Sequence, residues 1–289
     1  MYPDWPRSRE DLVPLPQCDG PKLNPFKFDG NPSIEFLDYL GEGLHAHVFK
    51  VRMDNQIYAL KLFRFLYDDA WMGPPDYEST ADPEDRELMS AFYDYSEPFN
   101  CECRAFGRLQ EAGHEDLSIQ APGRMEMRSR FLGRDGRVPP IRGIVKEFGH
   151  APEEEDVQPA DFRKILHDIP LFQQLGIFYL DVAARQIVSG KFSDLSTAIT
   201  VPHFVITPEL NPQLTPDMRE ALETETFRLT LDDYRTFDEV VDDWNQRHAD
   251  QKGAVSVRAF PGGSGTPKLR TRVSRGQSAQ DRVFTFIGT

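Results

Sequence analysis

Cysteine is scarce in this sequence of 289 residues, which contains only Cys18, Cys101 and Cys103. An odd and sparse set does not build a disulfide framework, and it indicates a reducing compartment, nuclear or cytoplasmic. Cys101 and Cys103 stand two residues apart and have no further ligands nearby at zinc-like spacing. We therefore expect a structural role for them rather than a metal site.

Long apolar runs and positive charge are also in short supply. No run of about 18 apolar residues is present, so no membrane-spanning helix is predicted. The first 16 residues are polar and proline-rich and lack the basic-then-apolar order of a secretory signal. Lys and Arg number 33 against 47 Asp and Glu, giving a formal charge of −14. Such a surface repels phosphate backbones, so direct nucleic-acid binding is not expected.

Changes in composition divide the chain into four parts. Residues 1–32 are predicted to form a proline-rich leader arm. Residues 33–150 are predicted to form a sheet-containing lobe with an insertion at 66–98, and residues 151–252 a smaller, mainly helical lobe. Residues 253–289 combine Gly, Ser and Thr with basic residues, which predicts a disordered tail that is simply solvated or that contacts an acidic partner.

Apolar periodicity predicts strands in the first lobe and helices in the second. Ile34–Leu40, His47–Arg52 and Ile57–Phe63 have strand-like patterns joined by short turns, which indicates an antiparallel meander. A helical pattern ends at Gly113, and the stretch from Arg124 to Pro140 is predicted to be irregular. Further helices are predicted for Asp161–Leu175 with Asp161 as its cap, Met218–Leu229 and Phe237–His248.

Two local signals in the first lobe point to phosphate binding. The glycines of Gly41-Glu42-Gly43 lie between two strands and would let backbone N–H groups approach phosphate oxygens, although such glycines often serve only hairpin geometry. Lys61 interrupts an apolar strand, so it is either an edge-strand lysine in solvent or a phosphate-binding lysine held by a carboxylate. Glu102 on the following helix is the best candidate partner, and Glu111 is the fallback.

Three residues in the second lobe carry the remaining chemistry. Asp181 follows the apolar segment 175–180, a costly position unless the carboxylate has a task, such as accepting the proton of an attacking hydroxyl. Asp194 follows a glycine turn and is predicted to be an oxygen ligand for Mg²⁺. Gln186 stands five residues after Asp181, where a metal-binding asparagine is usual in phosphoryl transfer.

The order of these motifs resembles a protein-kinase-like fold over residues 34–203. The resemblance implies an α+β, two-lobed architecture, with an antiparallel sheet and a helix in the N-lobe and a reduced, mainly helical C-lobe. The sequence is closer still to the fungal Fta-two-type subunit family of the Sim4 kinetochore complex. The segments that carry this resemblance are IEFLDYLGEGLHAHVFKVRMDNQIYALKLFRF (34–65), YSEPFNCECRAFGRLQE (95–111), GIVKEF (143–148) and DVAARQIVSGKFSDLSTAITVPH (181–203).

The kinase-like resemblance implies a site for ATP and Mg²⁺. Glu147 and Phe148 would form the hinge that receives the adenine. The implied nucleotide-binding residues are Gly41, Gly43, Val48, Ala59, Lys61, Glu147 and Phe148. The implied catalytic residues are Asp181, Lys61 and Glu102, and the implied metal ligands are Asp194 and Gln186.

Several positions depart from the kinase pattern. Gln186 replaces asparagine, Leu180 replaces the arginine before the catalytic aspartate, and no Ala-Pro-Glu motif follows Asp194. Lys146 falls at the back of the implied adenine pocket and is expected to reach solvent.

Three interpretations follow from the match and the departures. The first is a kinase-like ATP/Mg-binding kinetochore subunit, an ATP-dependent phosphotransferase acting on a hydroxyl acceptor. The second is a catalytically weak or inactive pseudokinase that serves as a kinetochore or centromere interaction subunit with protein partners. The third is an unrelated α+β domain in which the glycine and lysine signals are coincidental.

Overall fold

The computed structural model describes residues 19–30, 33–65, 94–132, 136–149, 157–203, 205–207, 210, 216–249 and 255–259. Four expectations from the sequence therefore concern residues outside the described ranges. They involve Cys18, the leader before residue 19, the insertion through residue 93 and the tail from residue 260 onward.

A five-stranded antiparallel sheet forms the first half of the fold. Its strands are β1 (Glu35–Glu42), β2 (Ala46–Met53), β3 (Gln56–Phe63), β4 (Gly123–Met127) and β5 (Ile141–Glu147). They lie in the order β1-β2-β3-β5-β4, and all neighbouring pairs are antiparallel. The predicted meander of the first three strands is thus confirmed, and β3 lies in the centre of the sheet.

The tight turn between β2 and β3 fixes their register. Asp54 and Asn55 have φ angles of 48° and 62°, a left-handed conformation that short Asx side chains tolerate. Met53 pairs with Gln56 across this two-residue turn, and the register then runs without a slip to Ala46 and Phe63. This register places Lys61 directly opposite Val48.

The prediction that residues 124–140 are irregular is wrong for their first part. β4 pairs with β5 from Gly123 to Met127. On its other side, the backbone of Phe26 donates to the Arg124 carbonyl at 2.8 Å. The segment Gly-Arg-Met-Glu-Met is poor in β-branched residues, so this strand depends on tertiary pairing rather than on local propensity.

Helix α1 (Pro98–Ala112) packs against the sheet. Pro98 suits the first turn, where a backbone N–H has no helical partner, and the Glu97 side chain accepts the Asn100 N–H. Gly113 ends the helix with φ 69°, as predicted. Phe99, Phe106 and Leu109 form its buried face.

The second half of the fold combines two long helices with short strands. The helices are α2 (Pro159–Gln174) and α3 (Pro216–Arg247), and the strands are β6 (Ile177–Phe178), β7 (Ile187–Val188), β8 (Lys191–Phe192) and β9 (Ile199–Thr200). β7 and β8 form a hairpin that turns at Ser189-Gly190, as predicted, and β6 pairs with β9.

Two helix predictions need correction. Asp161 is not the cap of α2: it lies in the first turn, where its carboxylate accepts the N–H of the cap residue Gln158 at 3.1 Å. The two helices predicted for 218–229 and 237–248 are one continuous helix. The stretch between them stays helical because its Tyr234 is buried in the same core cluster as Phe237.

The main core lies where α1, α2, α3 and the β7–β8 hairpin meet. Phe162, Phe172, Phe192 and Phe237 are fully buried there. Residues 255–259, which were included in the expected disordered tail, pack on α3: the Asn245 side chain bonds both the N–H and the carbonyl of Val255. No helix in the described part of the chain combines the length and apolar character needed to cross a bilayer.

These features confirm the α+β class and the antiparallel sheet. The two-lobed kinase-like assignment stays a prediction.

Candidate functional site

A buried lysine joins two carboxylates from different parts of the fold. The Lys61 ammonium on β3 donates to Glu102 Oε2 at 2.8 Å and to Asp194 Oδ1 at 2.7 Å. The Glu102 side chain on α1 is completely buried, and that of Lys61 is 5% exposed. Because β3 is paired on both sides, the edge-strand interpretation of Lys61 is wrong. The fallback partner Glu111 is exposed and lies beside Arg108 instead.

The electrostatics keep both members of the Lys61–Asp194 pair charged. Burial acts to lower the pKa of Lys61, but Glu102 and Asp194 outweigh it and the net shift is upward. Burial acts to raise the pKa of Asp194, but Lys61 and Lys146 hold it well below its usual range. The group is therefore an ion network in which every charge has an opposite charge beside it.

Lys146 is the fourth member of this network, and its predicted path to solvent is wrong. It lies on β5 opposite Ala59 of β3 and is 6% exposed. Its ammonium donates to Glu102 Oε1 and, at 2.5 Å, to the Ser193 carbonyl. Burial lowers the pKa of Lys146, and Glu102 partly offsets this. The one sequence signal for burial was the apolar pair Ile144-Val145 that precedes it.

The backbone before Asp181 is held by a carboxylate on helix α3 that the sequence analysis did not select. Asp233 on α3 accepts the Leu180 N–H at 2.8 Å and the Tyr179 N–H at 3.3 Å. Its Oδ2 also accepts the Gln173 amide at 3.1 Å. These bonds hold Leu180 at φ 68°, a left-handed conformation that is strained for a leucine. Burial raises the pKa of Asp233 to about 6.

One oxygen of Asp181 is held by two donors. Arg185 and the Gln186 amide donate to Oδ2 at 2.8 Å and 2.7 Å. The Gln186 oxygen in turn accepts the hydroxyl of Tyr179 at 3.0 Å. The backbone carbonyl of Gln186 accepts both the N–H and the hydroxyl of Ser193, so Asp181 and Asp194 lie on directly bonded segments.

The residues predicted to hold Mg²⁺ fit that ion only in part. Asp194 is about one third exposed, and its Oδ1 accepts Lys61 and the Ser196 N–H. A single carboxylate together with phosphate oxygens and water is an ordinary Mg²⁺ environment, so Asp194 fits. The Gln186 oxygen is engaged by Tyr179 and does not fit in this arrangement. No cluster of three or more His, Cys, Asp or Glu ligands occurs within the described ranges.

The glycine turn is linked to the segment that carries Asp194. Gly41 has φ 138°, which favours glycine, and the Gly43 N–H donates to the Ala46 carbonyl at 2.9 Å. A methyl group added at either glycine would meet no atom within 4 Å, so the backbone is open to a ligand. His45, between them and β2, bonds the Ser196 hydroxyl at 3.1 Å. This contact joins the turn to the segment that carries Asp194.

The remaining predicted nucleotide residues border the same part of the sheet. Val48 and Ala59 are half-buried and lie opposite Lys61 and Lys146 in the strand register. At the end of β5, the Glu147 N–H already donates to the Gln120 carbonyl at 2.8 Å. Phe148 is half-buried, and the Lys50 ammonium lies 4.6 Å from its ring centre. The Glu147 N–H is thus used internally.

The sequence comparisons agree with a kinetochore family. A family model described as "Kinetochore Sim4 complex subunit FTA2" matches residues 12–199, well over half of the chain. The matched range includes Lys61, Glu102, Lys146, Asp181 and Asp194 and ends before α3. Among curated proteins, no match to the chain was found.

Proposed function

The chain belongs to the kinetochore Sim4 complex subunit FTA2 family, and we propose that it acts in the nucleus as a kinetochore subunit with other proteins as partners. We further propose that its cleft binds ATP with Mg²⁺. The observation that carries this second proposal is the buried lysine Lys61, which is paired with Glu102 and Asp194, while the glycine turn is joined to the Asp194 segment through His45 and Ser196.

Each residue of the cleft has a definite task in this proposal. Lys61 would turn from Asp194 toward the α and β phosphates and keep Glu102 as its anchor. Asp194, released from Lys61, would offer a carboxylate oxygen to Mg²⁺, which neutralises phosphate charge when bound. Gly41 and Gly43 would let the backbone of the turn lie close to the phosphates, with Val48 and Ala59 against the adenine and Glu147 and Phe148 at the hinge.

The same arrangement supplies the groups for phosphate transfer to a hydroxyl. The acceptor oxygen would bond to the γ-phosphorus while the bond to the bridging oxygen breaks and ADP leaves. Asp181 would take the hydroxyl proton on the oxygen that is not engaged by Arg185 and Gln186. Asp233 contributes by holding the backbone just before Asp181.

Nucleotide binding is tested by thermal unfolding of the full chain with and without Mg-ATP. A ligand at 100 times its dissociation constant stabilises a protein by about 2.7 kcal/mol. For a chain of this size, that raises the midpoint temperature of unfolding by several degrees. We expect this shift in the wild type and its loss in Lys61→Met. Lys164→Met is the matched control, since that lysine pairs with Asp168 on α2. No shift in the wild type at millimolar Mg-ATP contradicts the proposal.

A second candidate function is a scaffold that does not turn over nucleotide. The observation that favours it is the Gln186 oxygen, which accepts Tyr179 and leaves Mg²⁺ with one carboxylate from the chain. Phosphate release from Mg-ATP separates the candidates when the wild type is compared with Asp181→Asn and Asp194→Ala. Transfer by this cleft predicts loss of release in both variants. Equal release from all three proteins leaves the scaffold function.

A further inference from the structure

We propose that Lys146 is a positioning residue of the cleft: it supplies Glu102 with a second, permanent cation and holds residue 193 on the sheet. Lys61 is thereby able to turn from Asp194 toward a phosphate while Glu102 keeps a cation that the phosphate does not share. The part that concerns phosphate rests on the nucleotide-binding function proposed above. The part that concerns Glu102 stands on the ligand-free structure.

The two oxygens of Glu102 are divided between the two lysines. Lys61 donates to Oε2 at 2.8 Å, and Lys146 donates to Oε1. The Glu102 side chain has no solvent exposure, so water cannot replace either lysine without a rearrangement. A buried carboxylate that loses all of its cations is strongly unfavourable, whereas one that keeps a single close cation is tolerated.

The two lysines differ in their second partners. Lys61 takes the Asp194 carboxylate, a group one third exposed that is able to be hydrated or to bind a metal ion. Lys146 takes the Ser193 carbonyl at 2.5 Å, an uncharged backbone group that does not exchange Lys146 for a metal ion. The Lys146 ammonium also lies 5.3 Å from the centre of the Phe106 ring on α1. Lys146 therefore ties β5, α1 and the Asp194 segment together independently of any ligand.

The charge balance also indicates that Lys146 keeps Glu102 paired. The cluster holds two ammonium groups, Lys61 and Lys146, and two carboxylates, Glu102 and Asp194. When Lys61 turns toward phosphate and Asp194 toward a metal ion, Glu102 and Lys146 remain as a neutral buried pair. Without Lys146, Lys61 would be the only lysine beside the buried Glu102, so Glu102 would compete with phosphate for Lys61.

A double-mutant cycle without ligand tests the first part. Urea unfolding is measured for the full-length wild type, Lys61→Met, Lys146→Met and the double variant. Each single variant leaves Glu102 one lysine, whereas the double variant leaves it none. We therefore expect the double variant to lose more stability than the sum of the losses in the two single variants. Lys146→Arg keeps a charge at this position. Combined with Lys61→Met, it is expected to give a more stable protein than the combination of Lys61→Met with Lys146→Met. Additive losses in the cycle overturn the proposal.

Two controls keep the cycle decisive. Lys61→Met combined with Lys164→Met should be additive, because these lysines share no partner. Should the Lys61/Lys146 double variant fail to fold, adding Glu102→Gln removes the stranded charge and is expected to restore folding. A triple variant that also fails to fold shows that the lysines serve another role and overturns the proposal.

The nucleotide-dependent part has its own measurement. If Mg-ATP shifts the wild-type unfolding midpoint, Lys146→Met should reduce the shift and Lys146→Arg should retain more of it. An undiminished shift in Lys146→Met overturns this part. If the wild type shows no shift, the nucleotide-binding function itself is wrong, while the ligand-free cycle still decides whether Lys146 positions Glu102.

Discussion

Asp233 is the residue on which the backbone around the candidate base most depends. It accepts two successive N–H groups, those of Tyr179 and Leu180, from within helix α3. A buried aspartate that also has a carboxylate neighbour, Asp232, is held there against its own desolvation. Its hydrogen bonds to Gln173, Tyr179 and Leu180 offset the strained φ of Leu180. The local geometry before Asp181 is therefore set by a helix more than fifty residues later in the chain.

We predict a distinct pH dependence for the stability contributed by Asp233. The pKa is raised to about 6 in the folded protein, against an ordinary value of about 4. The folded state therefore binds the proton more tightly than the unfolded state, and this contribution declines as pH rises from about 4 to about 6, then stays constant. The size is on the order of 2–3 kcal/mol.

The measurement is urea unfolding of the wild type and Asp233→Ala across pH 4 to 7. The wild type should be more stable throughout, because the variant leaves the Tyr179 and Leu180 N–H groups without an acceptor. Its advantage should shrink as pH rises through the stated window. An advantage that is constant or grows with pH contradicts the assignment.

The residues of the cleft were predictable to different degrees. Lys61 and Asp194 could be selected from the sequence because Lys61 is a charge inside an apolar strand and Asp194 follows a short strand after a glycine turn. Lys146 also follows apolar residues, but whether its side chain is buried depends on which element covers β5. Asp233 was not selected because it falls between the two helices predicted for 218–229 and 237–248, where an aspartate is usually solvated. Only the packing of α3 against the β6 segment makes it a buried acceptor.

At the scale of elements, α1 is held by contacts to the sheet and to the segment after Asp194. Beyond the two lysines, Arg104 donates to the Thr200 carbonyl at 2.5 Å and Arg108 to the Val201 carbonyl at 2.8 Å. These bonds attach α1 to the strand β9, so the helix that carries Glu102 is fixed to the segment that follows Asp194. The strands of the meander could be predicted from the local alternation of apolar and polar residues. β4 and the continuity of α3 depend on tertiary contacts, so they were not predicted.

Gly107 on α1 gives an element-scale prediction. An alanine inside a helix usually stabilises it by up to about 1 kcal/mol relative to glycine. Here a methyl group at Gly107 would lie 2.5 Å from the Lys22 carbonyl carbon and 2.8 Å from the Leu23 nitrogen. Gly107→Ala should therefore destabilise the protein by about 1–3 kcal/mol by forcing residues 22–23 off the helix.

Urea unfolding again measures the effect, with Gly30→Ala as the control because a methyl group there meets nothing within 4 Å. The control should change stability by less than about 0.5 kcal/mol. Hydrogen exchange offers a second readout, since the Leu23 N–H donates to the Cys103 carbonyl at 2.9 Å and should lose protection in Gly107→Ala. A stabilised Gly107→Ala protein shows that residues 22–23 do not pack on α1.

At the scale of the whole molecule, the fold extends well past the range that the family model matches. The match ends at residue 199, yet α3 supplies Asp233 to the backbone before Asp181. Residues 255–259 in turn cover α3: Val255, Val257 and Ala259 are buried in the same cluster as Trp244. The candidate site is therefore supported by two successive layers that lie outside the matched range.

Two truncations test this dependence. A chain ending at residue 259 keeps the contacts of Val255, Val257 and Ala259, whereas one ending at residue 254 loses them, including the paired bonds to Asn245. Because two valines and an alanine become unavailable for burial, the shorter chain should be less stable by about 3 kcal/mol or more. Its Trp244 should also become more accessible to quenchers of fluorescence. Equal stability of the two chains would show that residues 255–259 do not support α3, and the supporting layers would then end at that helix.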